Sequence, residues 1–221
     1  MSPPDETLEA YEHWAPVYPP IAHNPLMQVE QQAMHAAWPD MAGRRVLDLA
    51  CGSGRYSRML LDSHASQVIS LDFCMPMLSQ IAGQGRVCAS MMRLPFKQDS
   101  FDGVVSGLAL GHATGLTQWM EEAARVLRPG GTLLYSDFHP AAARAGLTRS
   151  FKDANQVSRT VPHRVYEVEA QLQAAAAAGL KMEVLREIRV GEELQEWHLG
   201  SESAYRRLQG LPIVLVVRAV K

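Results

Sequence analysis

The sequence predicts an α/β fold in which helices cover both faces of a doubly wound, mostly parallel β-sheet. Three observations predict this class: short apolar runs alternate with segments of helical periodicity, a glycine-rich or acidic turn ends the first two runs, and 221 residues are enough for one such domain. Strands that alternate with helices are typical of βαβ units and a parallel sheet. The crossovers of these units are right-handed in nearly all proteins, which gives the doubly wound form.

The short apolar runs are the predicted strands. The first, Val46–Ala50, closes in the glycine-rich turn Cys51–Gly54, and the second ends at Asp72. A short apolar run bounded by turn residues is typical of a strand that is buried on both faces. The second to seventh strands are predicted over Val68–Leu71, Arg86–Ala89, Phe101–Ser106, Thr132–Ser136, Met182–Val190 and Ile213–Val220.

Helices are predicted between these strands from apolar spacing and from their start and stop residues. Pro39 ends the first helix, because the residue before a proline disfavours helical backbone. Pro76 is tolerated in the first turn of a later helix, and Gly179 ends the alanine-rich one. The predicted helices are Leu26–Trp38, Arg55–His64, Met75–Ala82, Thr117–Leu127, Tyr166–Ala178 and Glu202–Leu208.

Two stretches depart from this regular pattern. Residues 1–40 contain prolines at positions 16, 19, 20 and 25, with the aromatic residues Tyr11, Trp14 and Tyr18 among them. We expect this N-terminal arm and helix to form a lid over an acceptor site, and residues 41–221 to form the main domain. Residues 138–165 are polar and arginine-bearing without clear periodicity, which indicates an insertion on the substrate side.

Composition limits the class of partner. The formal net charge is −2 and the sequence pI is about 6.4, so the chain lacks the basic excess typical of proteins that bind nucleic acid or anionic membranes. No run approaches the roughly 18 apolar residues of a membrane-spanning helix. The cysteines Cys51, Cys74 and Cys88 show neither CxxC nor metal-ligand spacing. We expect a cytoplasmic monomer or homodimer that binds no metal, nucleic acid or membrane.

The segment Val46–Ser57, VLDLACGSGRYS, indicates the class of cofactor. A strand runs into a turn at Gly52 and Gly54, where the absence of side chains lets a ligand approach the backbone, and then into a helix. A dinucleotide site favours GxGxxG, but Ser57 takes the third glycine position and Asp48 precedes the turn. A carboxylate there repels a pyrophosphate and attracts an ammonium group, which favours S-adenosylmethionine over NAD.

Three further segments follow in a characteristic order. LDFCMPML ends the second strand, LPFKQDSFDGVVSGLALGH contains the fourth, and EEAARVLRPGGTLLYSDFHP contains the fifth. Together with VLDLACGSG, they resemble the class I S-adenosylmethionine-dependent methyltransferases, in particular the small-molecule branch typified by ubiquinone-biosynthesis and malonyl-carrier-protein methyltransferases. The resemblance covers residues 11–137. It implies a Rossmann-like, seven-stranded sheet whose last strand is antiparallel.

The resemblance also implies roles for individual residues at the cofactor site. Asp72 would bind the ribose, Phe73 would lie beside the adenine, and Gly107 would contact the methionyl group. Ala50 stands where the family more often has glycine, and Ser90 where it often has an acidic residue. The methionine and ribose side would be lined by Asp48, Ala50, Gly52 and Gly54, and the adenine edge by Ser90 and Met91.

Candidate catalytic and acceptor residues lie beyond the fourth and fifth strands and in the arm. His112 and His139 are candidates for a general base or for orienting the acceptor, because ligands of open α/β sheets lie beyond the carboxyl ends of the strands. Arginines of the insertion are candidates for binding a carboxylate or phosphate, and aromatic residues of the arm for covering a sulfonium. Turn histidines, solvated charges and simple packing of the arm are the alternatives. The substrate-side candidates are Tyr11, Trp14, Tyr18, Arg144 and Arg149.

The predicted function is transfer of a methyl group from S-adenosylmethionine to a small-molecule acceptor by in-line displacement, at oxygen, nitrogen or carbon, with S-adenosylhomocysteine as the other product. The protein's part in such a reaction is chiefly to orient the reactants and exclude water. Two alternatives stay open: a protein that binds the cofactor without catalysis, and an NAD-dependent oxidoreductase, which Asp48 and Ser57 disfavour. The sequence does not identify the acceptor.

Overall fold

The structure is a computed structural model that describes residues 5–83, 85–191 and 202–221. Every strand predicted from the sequence is present, with bounds that differ most at the fifth, and a short hairpin is added in the insertion. The strands are β1 (Arg45–Leu49), β2 (Gln67–Asp72), β3 (Arg86–Cys88), β4 (Phe101–Ser106), β5 (Leu127–Phe138), β6 (Ser150–Lys152), β7 (Ser158–Thr160), β8 (Lys181–Arg189) and β9 (Pro212–Val220).

Seven of these strands form one sheet in the order β3-β2-β1-β4-β5-β9-β8. β9 pairs antiparallel with both β5 and β8, and the other neighbours pair parallel. The predicted Rossmann-like class with an antiparallel last strand is therefore confirmed. Because β1 is flanked by β2 and β4, the winding reverses direction beside it, and a crevice opens at the carboxyl ends of β1 and β4.

Helices cover both faces of the sheet. Residues of α5 and α7 pack in one core layer, and residues of α2, α3 and α8 pack in the other. Two short 3₁₀ turns, Ala15–Val17 and Leu110–His112, follow α1 and β4. The helices are α1 (Asp5–Trp14), α2 (Pro25–Ala36), α3 (Arg55–Asp62), α4 (Met75–Leu78), α5 (Leu116–Val126), α6 (Pro140–Arg144), α7 (Val168–Ala177) and α8 (Glu202–Leu208).

Strand β1 shows how the sheet divides the core. Leu47 and Leu49 belong to the layer of α5 and α7, whereas Val46 belongs to the layer of α2 and α3. Successive side chains of a strand point to opposite faces. Asp48 therefore shares the face of Val46, which brings its carboxylate under the first helices of the chain.

Outside the insertion, three elements differ from the prediction. Helix α1 was not predicted, since the prolines at positions 16, 19, 20 and 25 suggested an interrupted segment, but all four lie after the helix has ended. Helix α4 has only four residues and stops at Leu78 instead of Ala82. Strand β5 begins at Leu127 instead of Thr132, because Leu127 already pairs with Phe101 and a register shift in the ladder absorbs the following glycines.

The insertion, residues 138–165, contains helix α6 and the hairpin β6–β7. Phe151 of β6 stacks on Trp14 of α1, with ring centroids 4.4 Å apart and an interplanar angle of 9°. The two stretches that departed from the regular sequence pattern thus pack against each other. Within the described ranges, no helix is long and apolar enough to cross a membrane.

Candidate functional site

A cavity of about 400 Å³ opens at the carboxyl ends of β1, β2 and β4. Its volume lies in the range of small-molecule sites. We call the part formed by the strand ends the sheet side, and the part formed by α1, the 3₁₀ turn after β4 and the insertion the insertion side. The predicted site residues that line the cavity are Tyr11, Trp14, Tyr18, Asp48, Ala50, Gly52, Asp72, Phe73, Met91, Gly107, His112 and Arg149.

The turn after β1 has three residues with left-handed backbone. Ala50 has φ +56°, which is the conformation that glycine adopts most easily, so glycine would relieve strain at this position. Gly52 has φ +54°, and a Cβ built on it would meet no atom within 4 Å, because the position faces open space. At Gly54, a Cβ would lie 2.8 Å from the Ile81 side chain. Gly54 therefore serves helix packing and does not line the cavity as predicted.

Asp48 is a buried carboxylate on the sheet side, with 1 % of its surface exposed. The Ser57 hydroxyl donates to Oδ2 of Asp48 at 2.6 Å, and Ser70 lies 2.6 Å from the same hydroxyl. Burial raises the pKa of Asp48 to about 7. In the part of the chain that the structure describes, no lysine or arginine lies within salt-bridge distance of it, so its ionised form would attract a cationic ligand.

Asp72 lies on the neighbouring strand and organises the turn. Its Oδ2 accepts from the Gly52 amide at 2.8 Å, and its Oδ1 accepts from the Cys74 amide at 2.8 Å. Burial raises the pKa of this carboxyl as well. Each oxygen keeps lone pairs for further donors, so the carboxylate is suited to hydroxyl groups such as those of a ribose.

Gly107 follows β4 at a place where no side chain fits. A Cβ on this residue would lie 2.3 Å from Cε2 of Tyr56 and 3.4 Å from Nη2 of Arg55. The first of these distances is a severe clash with a ring that is itself buried. Glycine is therefore required where the end of β4 faces the cavity.

Aromatic side chains from α1 and its C-terminal turn cover the insertion side. Tyr11 and Trp14 stack at 5.9 Å, and Trp14 meets Tyr18 edge-on at 4.7 Å between ring centroids. Phe73, directly after β2, touches the edge of Tyr11 at 6.1 Å. The arm residues singled out in the sequence thus lie together with Phe73 on one wall.

His112 is held as a neutral acceptor on the insertion side. Its Nδ1 lies 3.1 Å from the Pro162 carbonyl oxygen, which can only accept, so Nδ1 carries the proton. Nε2 is left to accept from the Tyr11 hydroxyl and from Nη1 of Arg149, both at 2.9 Å. Burial, reinforced by Arg149, holds the pKa of His112 well below its usual value. The imidazole is therefore a weak base, and its Nε2 lone pair already accepts hydrogen bonds.

Arg149 is a cation without a carboxylate partner. Among the described residues, no carboxylate oxygen lies within 4.0 Å of its guanidinium, and its one hydrogen bond goes to neutral His112. The nearby Asp137 is buried, which raises its pKa to about 6, and its Oδ1 accepts from the Gly111 amide at 3.2 Å. The guanidinium therefore keeps several donors for a ligand.

Three other predicted residues are not brought to the cavity. His139 caps α6, because its Nδ1 accepts from the Ala141 amide at 3.1 Å and its Nε2 lies 3.2 Å from Glu187. Arg144 is exposed and pairs with Glu167. Ser90 accepts from the Met92 amide at 3.2 Å and does not line the cavity. Their predicted site roles are not supported, since each side chain has a local structural partner instead.

The sequence interpretation missed a buried ionic cluster beside the sheet side. Arg55 lines the cavity, and its Nη2 lies 2.8 Å from Oε2 of Glu30 in α2. Glu30 has no exposed surface. The sequence does contain a signal for this cluster: Glu30 stands on the apolar stripe of α2, between Met27 and Met34. A charge on an apolar helix face requires a buried partner.

Comparison with known proteins gives the family of the central segment. Residues 47–135 match the family described as Methyltransferase domain. This segment is a methyltransferase domain. It contains β1 to β4 and most of β5, and with them Asp48, Asp72, Gly107 and His112. The predicted resemblance to the class I S-adenosylmethionine-dependent methyltransferases is confirmed for this methyltransferase domain.

Curated relatives and solved structures agree with this result. The 2-phytyl-1,4-naphtoquinone methyltransferase of Synechocystis sp. is 31% identical over 140 residues, 57% of this chain and 59% of the relative. The malonyl-[acyl-carrier protein] O-methyltransferase of Halorhodospira halophila is 31% identical over 144 residues, 62% of this chain and 46% of the relative. The chain spans about half the length of the curated relatives it matches.

A solved structure extends the likeness beyond the methyltransferase domain. An S-adenosylmethionine-dependent methyltransferase from Mesorhizobium loti superimposes with a TM-score of 0.70 at 24% sequence identity. The match covers 87% of this chain and 97% of the other. At this identity the likeness establishes the fold. The chemistry has to be argued from the cavity itself.

Proposed function

We propose that the protein transfers a methyl group from S-adenosylmethionine to a small-molecule acceptor that carries a carboxylate or phosphate. One observation carries the proposal: a single cavity contains two buried carboxylates on the sheet side and an arginine without a carboxylate partner on the insertion side. Electrostatic complementarity favours a cationic cofactor near the carboxylates and an anionic acceptor near the arginine. The family of the domain supports the same division.

The residues of the sheet side fit S-adenosylmethionine. Asp48, buried and without a cationic partner among the described residues, suits the ammonium group of its methionyl end. Asp72 retains acceptor capacity for the ribose hydroxyls. The open space above Gly52 leaves room for a ligand along the backbone. Phe73 and Met91 would then flank the adenine.

The residues of the insertion side fit an anionic acceptor. A guanidinium offers a planar fork that matches carboxylate or phosphate oxygens. Arg149 lines the cavity beside the Tyr11 hydroxyl, whose single proton is donated to His112. Trp14 and Tyr18 supply an apolar wall beside them. The arm and the insertion would together form the lid over this acceptor.

The mechanism follows from the state of the titratable groups. When bound, S-adenosylmethionine supplies an activated methyl group on a sulfonium. Neither His112, with a pKa held well below 6.5, nor Tyr11, with a pKa raised by burial, is suited to take a proton from an acceptor of high pKa. The acceptor atom should therefore arrive deprotonated. A carboxylate oxygen meets this condition, since attack forms a C–O bond, breaks the C–S bond and releases no proton.

Under this proposal the chain's residues orient and shield the reactants. Arg149 would hold the acceptor's anionic group, and the aromatic wall would exclude water from the reacting atoms. Orientation of this kind supplies roughly 7–11 kcal/mol in favourable cases. O-methylation is also the reaction named for the relative from Halorhodospira halophila.

Calorimetry with S-adenosylhomocysteine, followed by methyl-transfer assays on a panel of carboxylic acids and phosphates, tests the proposal. We expect saturable binding of S-adenosylhomocysteine and none of NAD, and formation of a methyl ester from at least one acid. Binding without product from any acceptor would favour the non-catalytic alternative. Binding of NAD alone would favour an oxidoreductase and contradict the proposal.

A further inference from the structure

Arg55 is a second arginine of the cavity, and it lies on the sheet side. It is the first residue of α3, directly after the turn that contains Gly52 and Gly54, and only 8 % of its surface is exposed. Its counterion, Glu30, comes from α2 and is completely buried. The proposed function uses neither residue. A buried ion pair is costly compared with apolar packing, so its presence beside a cavity calls for an explanation.

Glu30 is fixed from three directions. The Tyr56 hydroxyl donates to its Oε1 at 2.7 Å, the Ser136 hydroxyl donates to the same oxygen at 2.5 Å, and Arg55 pairs with Oε2 at 2.8 Å. The Arg55 guanidinium also lies over the Tyr56 ring, 4.3 Å from its centroid. These contacts hold the guanidinium in position before any ligand binds.

The guanidinium has donors left on its cavity side. Glu30 engages Nη2, and the contacts of Nη1 with the Met27 carbonyl and with Gln31 are long, at 3.4 Å each. Nη2 lies beside Gly107, since a Cβ built there would be 3.4 Å from it. Because Arg55 and Gly107 both line the cavity, a small anionic group bound there beside Gly107 would meet a guanidinium that is already held in place.

We propose that Arg55, positioned by Glu30, binds the carboxylate at the amino-acid end of S-adenosylmethionine, while Asp48 takes the ammonium group of the same end. Asp48 and Arg55 line the same cavity and have opposite charges, as the two groups of the zwitterion require. Glu30 is a positioning residue, because it acts through Arg55. This inference rests on the proposed function, since it assigns a contact to the same cofactor.

Two ligands separate this contact from the rest of the site. S-adenosylhomocysteine carries the amino-acid end, whereas 5′-methylthioadenosine has the same adenosine and sulfur without it. In Arg55→Met we expect affinity for S-adenosylhomocysteine to fall about 10- to 100-fold, the range expected for a charge-assisted hydrogen bond. Affinity for 5′-methylthioadenosine should stay within about twofold, which also reports that the variant is folded. Arg58→Met is the matched control, because Arg58 lies on the same helix and is exposed.

Glu30→Gln tests the positioning role. Removal of one partner from a buried pair leaves the other charge uncompensated, so the double variant Glu30→Gln/Arg55→Met is measured alongside it. We expect Glu30→Gln to lower the affinity for S-adenosylhomocysteine less than Arg55→Met does. The affinity of the double variant should equal that of Arg55→Met. The assignment would be overturned if Arg55→Met left the affinity for S-adenosylhomocysteine unchanged, or if it lowered the affinities for S-adenosylhomocysteine and 5′-methylthioadenosine equally. A wild-type protein that binds neither compound would instead overturn the proposed function.

Discussion

The sheet side and the insertion side of the cavity are built in different ways. On the sheet side, Asp48 and Asp72 end neighbouring parallel strands whose pairing, Leu49 with Leu71, fixes the separation of the two carboxylates. On the insertion side, Tyr11, His112 and Arg149 come from three distant segments and meet through side-chain contacts. A cofactor site on strand ends is thus specified by the backbone ladder, whereas the acceptor site depends on how α1 and the insertion pack.

The largest effect is expected on the sheet side. Asp72→Ala removes the acceptor for the Gly52 and Cys74 amides as well as for a ribose, so both the turn and the ligand contact are lost. Affinity for S-adenosylhomocysteine should fall at least about 10- to 100-fold, as expected for loss of a hydrogen-bonded charge. Calorimetry measures the change. A variant that keeps wild-type affinity would remove Asp72 from the proposed cofactor site.

The insertion side should respond in the opposite sense. Arg149→Met should raise KM for an anionic acceptor by roughly tenfold to a hundredfold, because a charge-assisted contact is lost, and leave S-adenosylhomocysteine affinity unchanged. Steady-state kinetics with one acid acceptor measures this. Arg144→Met is the control, since Arg144 is exposed and pairs with Glu167. If Arg149→Met lowered the affinity for S-adenosylhomocysteine instead, the sheet side and the insertion side could not be treated as separate sites.

Asp48 should make cofactor affinity depend on pH. Its pKa of about 7 means that a rise from pH 6 to pH 8 ionises it, so affinity for the cationic cofactor should increase up to about tenfold. The free protein should respond inversely. The unfolded chain releases this proton near pH 4 and the folded protein near pH 7, so the free energy of unfolding should fall as the pH rises between these values.

The variant Asp48→Asn isolates that effect. Calorimetry and denaturant unfolding at pH 6, 7 and 8 should show pH-dependent differences between wild type and variant in both quantities. Identical pH profiles for the two proteins would show that Asp48 does not titrate in this range. The predicted pH dependence of cofactor binding on the sheet side would then be wrong.

The smallest effect on activity is expected for His139. His139→Ala removes the cap of α6 and the contact with Glu187, which should cost about 0.5–2 kcal/mol of unfolding free energy. The value of kcat should not change, because the residue does not line the cavity. In His112→Ala, by contrast, Tyr11 and Arg149 lose the imidazole to which both donate hydrogen bonds. The KM for the methyl acceptor should therefore rise. Equal kinetic effects of the two substitutions would contradict this distinction.

The extent of sequence-based prediction follows the same division. The fold class and most of the sheet side were predictable, because Asp48, Asp72 and Gly107 stand at fixed places relative to apolar strands. The insertion side was not, since nothing in the sequence separates Arg149, which enters the cavity, from Arg144, which does not. Hydrogen bonding to His112 decides between them, and it depends on tertiary contacts.

The missed elements have local explanations. Helix α1 escaped prediction because the prolines that follow it are typical of an interrupted segment, although its own ten residues contain none. Glu30 was visible as a charge on the apolar stripe of α2, but its partner Arg55 stands after the next strand, and only the folded chain brings the two together. Residues that act through a distant partner are the ones that periodicity alone does not reveal.

The position of Trp14 provides the protein with a built-in optical reporter. Its indole lines the cavity and stacks on Phe151, whereas Trp38 and Trp119, the other tryptophans within the described residues, pack in or against the core. A compound that entered between α1 and the β6–β7 hairpin would alter the surroundings of the Trp14 indole before those of Trp38 and Trp119. The difference in emission between the wild type and Trp14→Phe therefore follows acceptor entry in real time, without a label and independently of turnover.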